Sequence, residues 1–277
     1  MEFFADLIQY SYLANAFWAA ILSGITCSLI GTYIVSRRLV FLAGGVTHAS
    51  FGGLGLALYL GVNPIGGAML FALLSSLGIE WASQHGRIRE DSAIGIIWSI
   101  GMALGALFLY LTPGYTSGDL SSYLFGSIVT VTDGDIHALA ILTAVSIVGA
   151  LLWLRPVMYV AFDRAFARTR GIAVEWIGYL MAALMAVTIV LAIRMMGIVL
   201  LISLVTMPVV IANSLFRSFR QIALAAPLIG VAGNLTGLIL SYSWEVPPGT
   251  SIIFTLTIGL IAVKLLTLCR NKSKAAA

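Results

Sequence analysis

The residues of this sequence that most clearly suggest chemistry are Thr47, His48 and Ser50, three polar side chains inside an apolar run. Glycines surround them at positions 44, 45, 52 and 53. A membrane helix tolerates an imidazole and two hydroxyls in mid-span only where they face protein or water. The group therefore either lines a transport path or packs helices together. In the second case Thr47 and Ser50 bond their own carbonyls and His48 bonds a neighbouring helix.

A second polar group, Asp133, Asp135 and His137, stands at the start of a later apolar run. Two carboxylates beside an imidazole could attract cations to the outer mouth of a path. The same residues could equally be an ordinary helix start with Asp as N-cap. The chain has only 3 histidines, and they are too scattered for a closed metal site within one chain.

Missing motifs exclude several kinds of chemistry. No G-x-x-x-x-G-K-[ST] phosphate loop is present, so the chain does not hydrolyse nucleotides itself. No paired acidic and basic residues line the apolar runs, as ion-driven carriers often require. Neither H-E-x-x-H nor G-x-S-x-G occurs, which argues against an intramembrane protease. The sequence therefore predicts no enzyme.

The composition predicts an all-helical, polytopic membrane protein, because 60% of the residues are hydrophobic and 9% are charged. A soluble domain carries roughly 25% charged residues. We expect one transmembrane domain over residues 1–270, with a cytoplasmic tail at 271–277. The stretch 123–132 is too short to cross a bilayer and would form a re-entrant or broken helix. The predicted spans, about eight or nine, are 14–35, 39–60, 64–80, 93–111, 135–154, 173–193, 197–216, 221–241 and 250–268.

The distribution of basic residues predicts the orientation of the spans. With the 36–38 loop in the cytoplasm, only Arg194 of the 15 lysines and arginines lies outside, and Lys264 lies within a span. Cytoplasmic loops of membrane proteins carry such an excess of positive charge. The C-terminus is therefore predicted in the cytoplasm.

The cytoplasmic loop 155–171 is predicted to contain a short helix that begins with an N-cap at Asp163 and ends at Gly171. Basic residues in its last turn suit the helix dipole, and two phenylalanines one turn apart form an apolar ridge. So short a helix must pack on something, either the lipid surface or a cytoplasmic partner. The residues predicted to dock on such a partner are Phe162, Asp163, Arg164, Phe166, Arg168 and Gly171.

Four segments in this order and spacing resemble the membrane permease subunit of the bacterial zinc/manganese/iron ABC importer family. The first is the basic pair and apolar stretch that leads to Thr47-His48-Ala49. Another is the loop around Asp163, which resembles the coupling segment of that family. The segments are 37–49, 123–128, 161–172, and 196–208 with 247–250.

The resemblance implies a permease subunit for an ATP-driven importer of zinc, manganese or iron(II) in the bacterial inner membrane, with the metal ion as substrate. It implies a homodimer with the path between protomers, two cytoplasmic ATPase subunits that seat the coupling helix, and an extracytoplasmic metal-binding protein. His48 would be a metal ligand on this path. The path residues would be Thr47, His48, Ser50, Met207 and Pro208.

One position departs from the family pattern. Many members carry Asp one helical turn before this histidine, and here that position is Gly44. An Asp-His pair offers oxygen and nitrogen to a divalent ion, whereas His48 alone offers less. The path then either binds metal only briefly or carries another cargo. The alternatives are a permease for a metal chelate, such as a siderophore or cobalamin, and a secondary carrier or channel without an ATPase.

Overall fold

The computed structural model describes residues 2–86, 89–113, 128 and 131–275, and everything below concerns that part of the chain. It is helical and contains no strand within those ranges, which confirms the all-helical prediction. Most of the predicted broken helix at 123–132, including residues 123–127 of the motif at 123–128, lies outside the described residues. The helices are α1 Glu2–Gln9, α2 Ser11–Ser36, α3 Val40–Tyr59, α4 Pro64–Gln84, α5 Glu90–Leu111, α6 Asp133–Phe162, α7 Arg164–Thr169, α8 Val174–Leu215, α9 Phe219–Trp244 and α10 Pro248–Ala275.

Eight of the described helices are long and apolar enough to cross a membrane, all except α1 and α7. The longest, α8, has 42 residues and contains two of the predicted spans. At 1.5 Å per residue it would extend roughly 63 Å if it were straight, about twice the hydrocarbon thickness of a bilayer. It is broken at Gly197, whose φ of 75° and ψ of 170° are not helical. The predicted number of eight or nine spans is therefore confirmed. The number is eight if α8 is counted as one span and nine if its two halves are counted separately.

The chain divides into two compact units. Unit 1 contains residues 1–35, 127–154 and 195–277, and unit 2 contains residues 36–126 and 155–194. Two of the boundaries fall beside breaks in helices, one at Gly197 in α8 and one at Trp153 in α6. The break at Trp153 has a local cause in Pro156, which lacks an N–H and clashes with the preceding turn.

In unit 1, small residues allow helices to approach one another closely. A Cβ placed on Gly24 of α2 would lie 2.9 Å from the backbone nitrogen of Val231 in α9. Buried polar side chains add bonds between helices, because the Asn234 side-chain amide donates to the Ala20 carbonyl at 2.8 Å. These contacts are typical of helices packed in a membrane, where hydrophobic burial gives no preference for helix over lipid.

In unit 2, α3 packs between α4 and α5 through glycines. Cβ atoms added at Gly52 and Gly55 would lie 2.8 and 2.7 Å from the carbonyl oxygens of Gly101 and Gly105 of α5. Because the offset between contacting residues stays near 50, α3 and α5 run in the same direction. Gly53 of α3 meets the backbone of α4 in the same way. The result is that α3 is the most buried of the eight spans.

Candidate functional site

His48 lies in α3, with its ring stacked on the indole of Trp98 in α5. The ring centroids are 4.3 Å apart and the planes differ by 9°. The Nδ1 atom of His48 is buried and has no hydrogen-bond partner among the described residues. An unsatisfied buried polar atom costs about 1–3 kcal/mol, so this nitrogen is suited to bind a water molecule or an ion.

Thr47 and Ser50 are buried beside His48 in sequence, but their hydroxyls bond within α3. Thr47 donates to the carbonyl of Ala43 at 2.7 Å, and Ser50 donates to the carbonyl of Thr47 at 2.6 Å. This bonding satisfies both donors without a cargo. Their place on a transport path stays a prediction, with His48 as the only one of the three whose polar atom lacks a described partner.

The position of Gly44 is open toward Trp98. A Cβ added at Gly44 would meet only the Trp98 ring, at 4.0 Å, which is ordinary van der Waals contact. Trp98 therefore lies beside both His48 and the position where the resemblance leads one to expect Asp. The sequence did not single out Trp98, since the register between α3 and α5 depends on glycine contacts that no local pattern reveals.

Met207 and Pro208, the other predicted path residues, lie in the second half of α8 and belong to unit 1. The Met207 sulfur lies 3.8 Å from the hydroxyl oxygen of Thr257, which donates its hydrogen to the Ile253 carbonyl at 2.7 Å. Pro208 is buried, and because it lacks an N–H it leaves the Leu204 carbonyl without its helical donor. Both features are local to unit 1, and a role in a path stays a prediction.

The predicted outer group is bonded as a helix start. The Thr132 backbone N–H donates to Asp135 Oδ2 at 3.1 Å, and the Asp135 backbone N–H donates to the Thr132 hydroxyl oxygen at 3.4 Å. This is a capping box, so Thr132 is the N-cap of α6. Asp133 accepts from the Asn15 amide at 2.9 Å, and His137 Nδ1 lies 2.6 Å from the Asp133 carbonyl oxygen. Attraction of cations by these residues stays a prediction.

Within the described ranges, no group of three or more His, Cys, Asp or Glu side chains could hold a metal ion. A resident metal centre built from such a cluster is therefore absent from this part of the chain. A single imidazole such as His48 could bind a passing ion only together with water or a second protomer.

The predicted short helix in the 155–171 loop is α7, and both of its ends are capped. The Asp163 carboxylate accepts from the Phe166 backbone N–H at 2.9 Å, which confirms the N-cap. At the other end Gly171 has φ of 72°, its N–H bonds to the Arg168 carbonyl at 3.0 Å, and the Ile172 N–H bonds to the Ala167 carbonyl at 3.1 Å. This pair of bonds is a Schellman motif, which needs a left-handed residue such as glycine.

One side of α7 is buried and the other is exposed. Ala167 packs with Val160 and Val174 in an apolar cluster of unit 2. Phe162 ends α6 and Phe166 lies in α7, so the two rings do not form a ridge along one helix as predicted, because the N-cap Asp163 separates them. They are 66% and 42% exposed, and both remain accessible for docking. Two caps and an apolar anchor explain how six residues form a stable helix.

Glu80 is a functional candidate that sequence reasoning missed. Its carboxylate accepts from Arg37 at 3.1 Å and from Arg164 at 2.5 Å, and its side chain is only 3% exposed. Arg37 precedes α3 and Arg164 begins α7, so Glu80 joins the histidine-bearing helix to the predicted docking helix. The only local signal was a carboxylate at the end of the apolar run 64–80.

Comparisons with known proteins agree with the resemblance in sequence. Residues 9–267 match the model of the ABC 3 transport family. The manganese transport system membrane protein MntC of Halalkalibacterium halodurans is 32% identical over 91% of this chain and 86% of its own length. The manganese import system permease protein ScaB of Streptococcus parasanguinis is 31% identical over 92% of this chain and 90% of its own.

The solved structure of PsaBC from Streptococcus pneumoniae in complex with Fab has a similar fold. The likeness has a TM-score of 0.81 at 27% identity and covers 95% of this chain and 94% of the solved one. The predictions of a metal transporter permease and of a transport subunit without enzymatic activity are confirmed by these matches. The chain belongs to the ABC 3 transport family.

Proposed function

We propose that this chain is the permease subunit of an ATP-driven importer for a divalent transition metal ion, with manganese(II) as the first ion to test. The observation that carries the proposal is the family match, which extends over residues 9–267. Manganese is chosen because MntC and ScaB, which match most of the chain, are named for manganese transport and import. Zinc and iron(II) are the other ions to compare.

His48 is the proposed ligand on the path. Its buried Nδ1 lacks a partner among the described residues, and imidazole nitrogen binds first-row divalent ions. A single nitrogen leaves most of the coordination shell to water or to a symmetry-related protomer. Such weak binding suits transport, because the ion must leave the site as readily as it enters.

The proposed partners act at opposite ends of the path. Two cytoplasmic ATPase subunits would seat α7 and the end of α6, where Phe166 and Phe162 respectively are exposed. An extracytoplasmic metal-binding protein would deliver the ion, and two copies of the chain would enclose the path. This arrangement requires a plasma-membrane location and a cytoplasmic C-terminus, as the basic loops predict.

The proposal is tested by uptake into proteoliposomes that contain this chain with or without its ATPase and metal-binding protein. Manganese uptake that requires ATP and both partners supports an ABC importer. Uptake driven by an ion gradient with this chain alone would contradict it in favour of a carrier or channel. ATP-dependent uptake of a siderophore or cobalamin, but of no free ion, would contradict the metal-ion substrate.

A further inference from the structure

The buried carboxylate of Glu80 lies at the centre of an ion network within unit 2. Arg37 Nη1 donates to Oε2 at 3.1 Å, Arg164 Nη2 donates to Oε1 at 2.5 Å, and the Gln84 amide donates to Oε1 at 3.0 Å. The side chains of Glu80 and Arg37 are 3% and 7% exposed. One carboxylate therefore binds two arginines from different elements while it is shielded from solvent.

A second carboxylate extends the network to α5. Arg37 Nη2 donates to Glu90 Oε1 at 2.6 Å, and the Ser83 hydroxyl bonds the same oxygen. Glu90 is the first residue of α5. The network thus ties together the turn before α3, the end of α4, the start of α5 and the start of α7.

The neighbouring helix leaves room for this carboxylate. A Cβ added to Gly178, in the first half of α8, would overlap the Glu80 carboxylate and lie 3.0 Å from the Gln84 amide nitrogen. Only glycine lets α8 approach α4 here with the acidic side chain in place. The close approach of Gly178 thus adds a packing contact to the Glu80 carboxylate besides its ion pairs.

Only the short segment from Arg37 to Val40 connects this network to α3. Arg37 is three residues before the first residue of α3, and Arg38 between them adopts a left-handed conformation with φ of 60°. His48 follows eight residues after Val40, roughly 12 Å along the helix axis. A displacement of Arg37 would therefore also displace the first residues of α3, the helix that contains His48.

Net stability alone is a poor explanation for such a network. The desolvation cost of buried charges often cancels their attraction, and apolar residues of similar volume can be equally stable. Removal of one partner nevertheless leaves a buried charge with fewer partners than it has in the intact network. A network of this kind instead fixes the positions of α3, α4, α5 and α7 relative to one another.

We propose that Glu80 is a positioning residue that transmits movement of α7 to α3 through the Arg164–Glu80–Arg37 connection. The inference rests on the proposed function, in which ATPase subunits move α7. Glu80 itself is buried and has no access to a cytoplasmic partner. Any effect of its substitution on coupling must therefore pass through the network.

The test measures manganese ions imported per ATP hydrolysed by the complete complex of permease, ATPase and metal-binding protein in proteoliposomes. Glu80→Asp keeps the charge but shortens the side chain, so it cannot hold both arginines at once. We expect ATP hydrolysis to continue while the ratio of ions to ATP falls about threefold or more. The matched control is Arg89→Ala, which removes an ion pair to Asp91 whose side chains are 84% and 66% exposed, and it should leave the ratio unchanged.

Arg164→Ala provides a second variant, and the double variant with Glu80→Asp shows whether both act in one connection. We expect the double variant to lower the ratio no further than the stronger single variant, because interacting residues are not additive. A purely structural role would lower the yield or melting temperature but leave the ratio in assembled complexes unchanged.

A wild-type ratio in every one of these variants that assembles would overturn the inference. If Glu80→Asp does not assemble, Glu80→Gln, which keeps the side-chain length but removes the charge, decides by the same measure. Lack of ATP-dependent uptake by the wild-type complex would instead overturn the proposed function, and the inference with it. The wild-type and variant arms therefore distinguish the two failures.

Discussion

At the scale of single residues, the candidate path depends on one imidazole. His48 stacks on Trp98, and its buried Nδ1 has no described partner, whereas the hydroxyls of Thr47 and Ser50 bond within α3. The position one turn earlier, Gly44, has space for a side chain. This chain therefore has room at position 44 for a carboxylate side chain that its sequence does not supply.

Gly44→Asp should increase the affinity of the permease for manganese(II). The new Cβ would contact only the Trp98 ring at 4.0 Å, so the helix should accept the carboxylate, and its oxygens would lie one turn from the imidazole. The measurement is manganese binding to the purified permease by isothermal titration calorimetry. The double variant Gly44→Asp with His48→Ala should lose the gain. Unchanged affinity in Gly44→Asp would contradict the placement of His48 at a metal site.

At the scale of helices, glycine contacts fix the position of α3. Gly53→Ala would drive a methyl group into the backbone of Gly67, and such overpacking typically costs about 1–3 kcal/mol. We expect a lower melting temperature and less assembled permease. The matched control is Gly66→Ala, at a position where a Cβ meets nothing within 4 Å. Equal melting temperatures for the two variants would contradict the close packing of α3 on α4.

Phe162→Asp should uncouple the permease from its ATPase without unfolding it. The Phe162 side chain is 66% exposed, so a carboxylate there can be solvated while it disfavours an apolar docking surface. The measurement is ATPase stimulation by the reconstituted permease, with size-exclusion chromatography to verify folding. Full stimulation by the folded variant would contradict the assignment of α7 as the coupling helix.

Local signals in the sequence were sufficient to predict the ends of the short helix α7. They were insufficient to predict contacts between helices. Asp163 and Gly171 predicted both ends of α7, because caps depend on residues within one turn. The network at Glu80 was missed, because its arginines lie 43 and 84 residues away in sequence. Trp98 was missed for the same reason, since only the α3–α5 register brings it to His48.

At the scale of the whole molecule, hydropathy predicted the spans but not the division into two units. The nine apolar runs correspond to eight helices because α8 continues through the break at Gly197. The boundaries near Trp153 and Gly197 depend on how segments distant in sequence pack, which periodicity does not reveal. The orientation in the membrane remains a prediction from the basic loops.

The two native cysteines allow a direct test of that orientation. Cys269 is exposed near the end of the last span, and Cys27 is buried and serves as an internal control. A membrane-impermeant maleimide should label Cys269 in inside-out vesicles and not in intact spheroplasts. Labelling of Cys269 from the outside would place the C-terminus outside and contradict the predicted topology.

The central claim is that a divalent metal ion crosses the membrane past His48 in an ATP-driven importer. The most direct measurement is ATP-dependent manganese uptake by the complete reconstituted complex with wild-type permease, His48→Ala or His85→Ala. His85 is exposed and bonds the Trp81 carbonyl, so its variant is a matched control. We predict that His48→Ala lowers uptake roughly tenfold or more, comparable with the loss of other groups that support metal binding, while His85→Ala matches wild type. Equal uptake by all three proteins would contradict the claim that His48 lies on the path.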